Sequence, residues 1–286
     1  MRTICVAIAS LAFLFGLPSA GSEPRQPEPV HAPAITSRGL ENLVALTRAV
    51  GYVRFFHATD EAAATEWASF TIDAVERVEG AANAEQLAEA LEGVFAPVAP
   101  TVQVWAGGAD DSPAAVGPLP MVTHVWWWEH HGVQLSAAPN VYRSVRRRAN
   151  LEGGELSGPQ PGEVIEQSLG GGVWIRVPLA VFGDDQSTYP RATQEAAAAD
   201  PAVVRDGNDR ATRLAGVALA WMVFEHFYPY PDAVEGEWID ALRGAMLDAS
   251  RTIDDAEFLK VLRRLVAKLN DGHGGVYHPR MFPRAY

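Results

Sequence analysis

Near the end of this 286-residue chain stands Leu269-Asn270-Asp271-Gly272-His273-Gly274-Gly275-Val276. It places an imidazole on a glycine-rich turn directly after an amphipathic helical stretch. A histidine there can act as a general base, taking a proton from a serine hydroxyl. Such a base needs a nucleophile within hydrogen-bond reach and donors for the oxyanion. The chain offers few partners. Its two lysines, Lys260 and Lys268, fall on the polar side of one helix, where an ammonium stays protonated and is no base. No serine sits in a Gly-x-Ser-x-Gly elbow, and Ser157 and Ser168 lie near glycines in loop and strand texture. His273 therefore has three readings: a base completed by another domain, a turn histidine that bonds backbone, or a remnant without a role. Asp271 can orient the imidazole, although residues two apart in a turn more often make local backbone bonds.

A second group is Trp126-Trp127-Trp128-Glu129-His130-His131, the densest aromatic patch of the chain. One reading is core plus an exposed edge. Another is a ligand-facing platform for a peptide or glycan, with Trp126, Trp128 and Trp174 as the contacts. A metal site is disfavoured, because adjacent histidines on a strand point to opposite faces. His124, His130 and His131 also lack the i, i+4 spacing of helical zinc motifs. No metal and no cofactor is expected.

Composition narrows the partners. The formal net charge is −12, without long acidic runs. Nucleic acid and anionic membranes call for a basic face and are disfavoured. The one basic cluster, Arg143 to Arg148, is short and reads as a solvated strand edge or a binding strip. Arg2, the apolar run Cys5–Leu17 and the small residues Pro18-Ser19-Ala20-Gly21 read as a signal peptide over 1–21. This points to a secreted or periplasmic protein; an uncleaved signal acting as a membrane anchor is the alternative. Cys5 is the only cysteine, so cleavage would leave no thiol. Residues 22–36, rich in Pro, Glu and Gln, read as a disordered linker.

The elements that must position these groups follow from periodicity. Residues 37–99 read as a helical unit. Its first helix carries Leu40, Leu43, Val44, Thr47, Val50 and Val53 on one face; its second runs from Thr59 or Asp60 to Val78; its third spans 84–95. Residues 100–190 alternate with Gly and Pro turns and read as an antiparallel β-sandwich or jelly-roll-like module. Residues 206–276 are helical again. In the last helix, Phe258, Leu262, Leu265, Val266 and Leu269 form the apolar stripe. Residues 277–286 are a tail. The fold class is thus α+β, with two three-helix units flanking a β module.

The two helical units repeat. Tyr52-Val53-Arg54-Phe55-Phe56-His57 resembles Met222-Val223-Phe224-Glu225-His226-Phe227-Tyr228-Pro229. Each is followed by a tryptophan: Trp67 lies 12 positions after Phe55, and Trp238 lies 11 after Phe227. Each tryptophan lies 28 positions before an apolar residue of the third helix, Phe95 or Val266. This argues for paired bundles packed on each other. Self-association through these bundles is compatible with the pattern.

Trp221 to Pro231, then Trp238, then a helix ending in Leu269-Asn270-Asp271-Gly272-His273, resembles the N-terminal helical region of tail-specific serine peptidases. These are the C-terminal processing family that also contains the tricorn core protease. The resemblance covers about 206–276; residues before it are similar to the upstream extension of secreted members. It implies proteolysis of proteins or peptides, a following PDZ-like domain and an α/β domain bearing the serine. It also implies a general-base role for His273, as in tricorn-like members; in lysine-dependent members the matching histidine is structural or substrate-adjacent. Since 13 residues follow His273 in the 286, the chain reads as the N-terminal, truncated part of such an enzyme, inactive alone.

Overall fold

The computed structural model describes residues 34–115, 122–131, 143–152, 156–193, 206–234, 236–272 and 274–276. The fold is α+β, as expected. The described residues form seven α-helices and two three-stranded antiparallel sheets. The first helical part comprises α1 (Ser37–Phe56), α2 (Asp60–Ala64), α3 (Trp67–Val78) and α4 (Ala84–Phe95). Six strands follow: β1 (Gln103–Ala106), β2 (His124–His131), β3 (Arg143–Asn150), β4 (Val164–Gly170), β5 (Val173–Pro178) and β6 (Val181–Gly183). The second helical part is α5 (Arg210–Phe227), α6 (Trp238–Arg251) and α7 (Asp255–Ala267).

The helix expected over 60–78 is two helices. The first ends at Ala64, and Glu66 starts the other, its carboxylate accepting from Ser69 N at 2.8 Å and Ala68 N at 3.4 Å. A charged cap there satisfies orphan donors and favours a fresh N-terminus. Thr59 caps α2, Asn83 caps α4, Asp209 caps α5 and Asp254 caps α7.

Helix α1 is buried nearly all round rather than on one face. Leu43 and Leu46 are each 1% exposed and Val50 0%. The reason is its place: α3, α5 and α6 lie on some sides, and the first sheet on another. That sheet has the order β1-β5-β4, and Val173, Ile175 and Val177 alternate inward from β5 into the helical core. The second sheet, β3-β2-β6, has a small core of Val125, Trp127 and Ala180 under Leu151 and Leu156. Only Leu179 and Ala180 separate β5 from β6, so the expected β module resolves into two sheets that exchange the chain there.

The repeat is in exact register from end to end. Trp67 and Trp238, each preceded by Glu and each first in its helix, are 171 positions apart (238 − 67). The same shift carries α1 onto α5, α4 onto α7, and α2 onto a single 3₁₀ turn at Pro231–Ala233. It pairs Asn42 with Arg213, and both do one job. Asn42 Nδ2 donates to Glu79 O and Ala81 O beyond α3; Arg213 Nε donates to Ala249 O at the end of α6. Equivalent positions also meet across the crossing of α1 and α5. A Cβ on Gly51 would lie 3.4 Å from Cβ of its counterpart Met222, and the Phe55 ring lies 5.5 Å from its counterpart His226. Like touching like is what a two-fold relation requires. The structural register pairs Phe55 with His226, one position away from the alignment of aromatic types.

The crossing is tight. A Cβ on Gly51 would come 2.6 Å from His226 Nε2, while Gly244 of α6 has nothing within 4 Å. Gly51→Ala should therefore destabilise by about 1–3 kcal/mol through overpacking. Gly244→Ala should stabilise by about 0.5–1 kcal/mol through helix propensity. Urea unfolding of both variants checks this; equal signs would refute the crossing geometry.

Candidate functional site

Three places bring chemistry-bearing side chains together, and the first is the end of α1. That helix ends inside the protein, and a helix end leaves carbonyls without intrahelical donors. The second sheet supplies donors. His130 Nε2 donates to Phe55 O at 2.6 Å, Trp128 Nε1 to His57 O at 3.1 Å, and Arg146 Nε to Ala58 O at 2.9 Å. His130 and Trp128 alternate on one face of β2, and Arg146 is the β3 residue opposite Trp128. Arg146 also pairs with Asp60 at 2.6 Å, and Asp60 holds Thr188 N at 3.0 Å. A guanidinium at a helix C-terminus further meets the negative end of the dipole.

The histidines there have fixed tautomers. The carbonyl of Phe55 only accepts, so His130 carries its proton on Nε2. Its Nδ1 accepts from Ser144 Oγ at 2.8 Å. His57 is fully buried. Thr59 Oγ1 donates to Val98 O, so it accepts from His57 Nδ1, and His57 Nε2 accepts from Thr101 Oγ1 at 2.7 Å. Burial, aided by the charge of Arg146, pushes His57 down to about 3. Burial also pushes His226 down to about 4, with His130 and Arg48 acting in the same direction. His226 sits among Tyr52, Phe55, Phe56 and Phe227 with ring centroids 5.3 to 6.4 Å away, and its Nε2 is buried without a hydrogen-bond partner. Burial lowers His130 as well, against the pull of the Phe55 carbonyl. The Ser144–His130 pair thus has a hydroxyl on an imidazole, but a weakened base whose other nitrogen holds the helix end. These histidines are neutral structural groups.

The second place holds the tryptophans. Trp126 lies under two guanidiniums, Arg146 at 4.3 Å and Arg148 at 5.3 Å, and its Nε1 donates to Asp184 O at 3.0 Å. Trp174 is in the other sheet, stacked on Trp105 with centroids 6.4 Å apart. Trp126 and Trp128 share one face of one sheet and spend their indole N–H groups on backbone carbonyls, while Trp174 stands on a different sheet. The three therefore do not form one platform. His131 pairs with Glu129 at 2.7 Å, away from the α1 end that His130 caps. Among the described residues, no three His, Cys, Asp or Glu side chains converge on one point.

The third place is the terminal turn. His273 lies outside the described residues. Around it, Asn270 has φ 52°, Gly274 N donates to Asp271 O at 3.1 Å, and Arg263 Nε donates to Val276 O at 3.3 Å. Tyr228 at the end of α5 donates to Leu269 O at 3.3 Å and Asp271 Oδ2 at 3.4 Å. The turn borders an open cavity of about 540 Å³ lined by Arg263, Val266, Asn270, Asp271, Gly272 and Val276. Lys260 and Lys268 are exposed, on the polar side of α7. Sequence reasoning missed His57, Asp60, Thr101, Arg146 and His226. The one available signal was the polar run His57-Ala58-Thr59-Asp60 between two apolar helices.

No family model, curated protein or solved structure matches the chain.

The buried histidines set a pH dependence. Their folded values lie below the unfolded value of 6.5, so folded and unfolded chains are alike above it. Below it the unfolded chain takes up protons that the folded chain refuses, and stability falls with pH. From about pH 6.5 to about pH 5, above the carboxylate range, each such group should cost about 1.4 kcal/mol per pH unit. Urea unfolding across this window should show a slope that rises toward about two protons near pH 5, and toward about one in His57→Gln. An unchanged slope in that variant would refute the neutral, buried assignment of His57.

Proposed function

We propose that the chain is the scaffold and positioning part of a secreted serine-type peptidase of the tail-specific family, acting on proteins or peptides. The observation that carries this reading is the anchoring of the Asp271-Gly272 turn. It stands at the end of the second helical unit, tied to α5 through Tyr228, and borders an open cavity. A group carried by such a turn is held in place from behind and left open in front, which suits a base that meets a nucleophile from another domain.

The repeat adds support. A shift of 171 positions sets Leu269–Val276 on Val98–Trp105, the stretch where the first unit passes from α4 into β1. The turn thus corresponds to a helix-to-strand junction, and a β-rich domain after it suits the resemblance to these peptidases. His273 is proposed as the general base toward a serine outside the described residues. Lys260 and Lys268, both exposed, and the neutral histidines of the α1 end are not suited to that role. Export through the N-terminal apolar stretch belongs to the same proposal. Among the described residues no helix is long and apolar enough to cross a membrane.

The test is cleavage of an unstructured peptide, and fluorophosphonate labelling, by the chain alone and by the chain joined to a serine-bearing α/β domain of the family. The chain alone should do neither; stoichiometric labelling of one of its serines, Ser144 included, would sink the scaffold reading. In the joined protein, His273→Ala should lower kcat by about 100-fold or more. Unchanged kcat would assign His273 a structural role.

A further inference from the structure

We propose that an extended, acidic peptide segment adds to the second sheet as a fourth strand along the outer edge of β3. The inference starts from how the sheet edges are finished. An open edge presents unpaired N–H and C=O groups and is a template for another strand. Proteins blunt edges with bulges, short strands or covering loops. Three of the four edges here are treated so. β4 carries a bulge between Ser168 and Gly170. β6 is three residues long and is followed by a bridge from Gly183 to Thr188. β1 is four residues long and is flanked by the 112–114 segment, bonded through Gln103 and Arg176.

The fourth edge is different. β3 is eight residues long and pairs with β2 in unbroken register over all eight. It contains neither proline nor glycine. Among the described residues, no strand pairs with its other side. At the rise of an antiparallel strand it offers about 27 Å of edge. What it carries instead of a bulge is charge: Arg143, Arg146, Arg147 and Arg148 are half of its residues, in a chain of net charge −12.

The charge selects the occupant. A second copy of β3 would set arginine against arginine, and like charges opposite each other destabilise a strand pair. A basic or neutral strand gains nothing from the arginines. An acidic strand gains cross-strand ion pairs beside the backbone bonds, and backbone bonds supply the affinity in strand addition. The arginines are partly prearranged. Arg146 is fixed by Asp60, and Arg147 pairs with Glu129 at 2.9 Å. Arg148 is exposed, its guanidinium resting over the Trp126 ring. Arg146 is already engaged by Asp60 and Ala58 O, so the incoming strand sets a Glu opposite Arg148, which is exposed. The β3 edge and the terminal turn share no residue, so this inference does not depend on the peptidase reading.

The probe is a fluorescein-labelled peptide alternating Glu with Val or Thr, followed by anisotropy against the whole chain. The expected result is saturable binding by this peptide and none by its Lys counterpart. N-methylation of every second backbone nitrogen should abolish binding, and Arg148→Glu should weaken it about tenfold. Circular dichroism confirms that this exposed variant remains folded. Equal binding of the N-methylated peptide would mean charge attraction without strand addition and overturn the proposal. So would the lack of saturation up to about 1 mM, the weak end of specific recognition. Mass spectrometry of the recovered peptide separates binding from cleavage, so neither outcome bears on the peptidase reading.

Discussion

Helix α1 ends in the interior, and its carbonyls must be met there. An unpaired buried carbonyl costs about 1–3 kcal/mol, and Phe55, His57 and Ala58 each present one. Three side chains from two paired strands meet them. This requirement explains a string of residues that otherwise reads as excess aromatic surface. In Trp126-Trp127-Trp128-Glu129-His130, Trp128 and His130 point one way to reach the helix end, and Trp127 points the other way into a small core. The second sheet is thus a cap for α1 built in three dimensions. Its position also fixes Arg146 and, through Asp60 and Thr188, the segment after β6.

The same end of α1 meets the end of α5, and there the two-fold relation is most exacting. Phe55 packs on Phe227 at 4.7 Å, and the counterpart pair, His226 on Phe56, packs at 5.3 Å. A residue on this axis serves two contacts at once, which explains the small Gly51 opposite Met222 and His226. Departures from symmetry are informative too. Position 57 in the first unit is a buried histidine held by Thr59 and Thr101; its counterpart, Tyr228, is half-buried and reaches Leu269 and Asp271. Leu269 is the counterpart of Val98, and both carbonyls accept a hydroxyl from the segment after the long helix. One framework is therefore closed in the first unit and opens toward a cavity in the second.

Much of the fold was legible in sequence, for specific reasons. The stripe Phe258, Leu262, Leu265, Val266, Leu269 is buried and Lys260, Arg263, Arg264 and Lys268 are exposed, because one face of α7 meets the core and periodicity reports that directly. The opposite directions of His130 and His131 follow from strand geometry alone. The break at Glu66 was not legible, because glutamate is an ordinary helix residue and becomes a cap only when its carboxylate turns back. The burial of α1 on all sides depends on which elements surround it, and no local pattern carries that. The role of the tryptophans was also hidden, since a donor aimed at a distant helix end looks the same in sequence as a ligand platform. His130 and Phe55 are 75 positions apart, and Arg146 and Ala58 are 88 apart.

Burial decides what the described histidines of this chain can do. An imidazole such as His57, pushed down to about 3 by burial, stays neutral in ordinary buffers and is a poor proton acceptor. His57 serves by hydrogen-bonding both nitrogens, to Thr59 and Thr101, which fixes the turn after α1. A base that works near neutral pH needs a value near neutral, and so an environment only partly closed. The Asp271-Gly272 turn is tied to Tyr228 through Leu269 O and the Asp271 carboxylate and to α7 through Arg263, and one side borders an open cavity. Because the first unit uses its counterpart stretch to enter β1 and close against the helices, the opening in the second unit is not forced by the helical frame. Glycines at 272, 274 and 275 stand where the first unit has Thr101, Gln103 and Val104, and a Cβ on Gly272 would meet nothing within 4 Å.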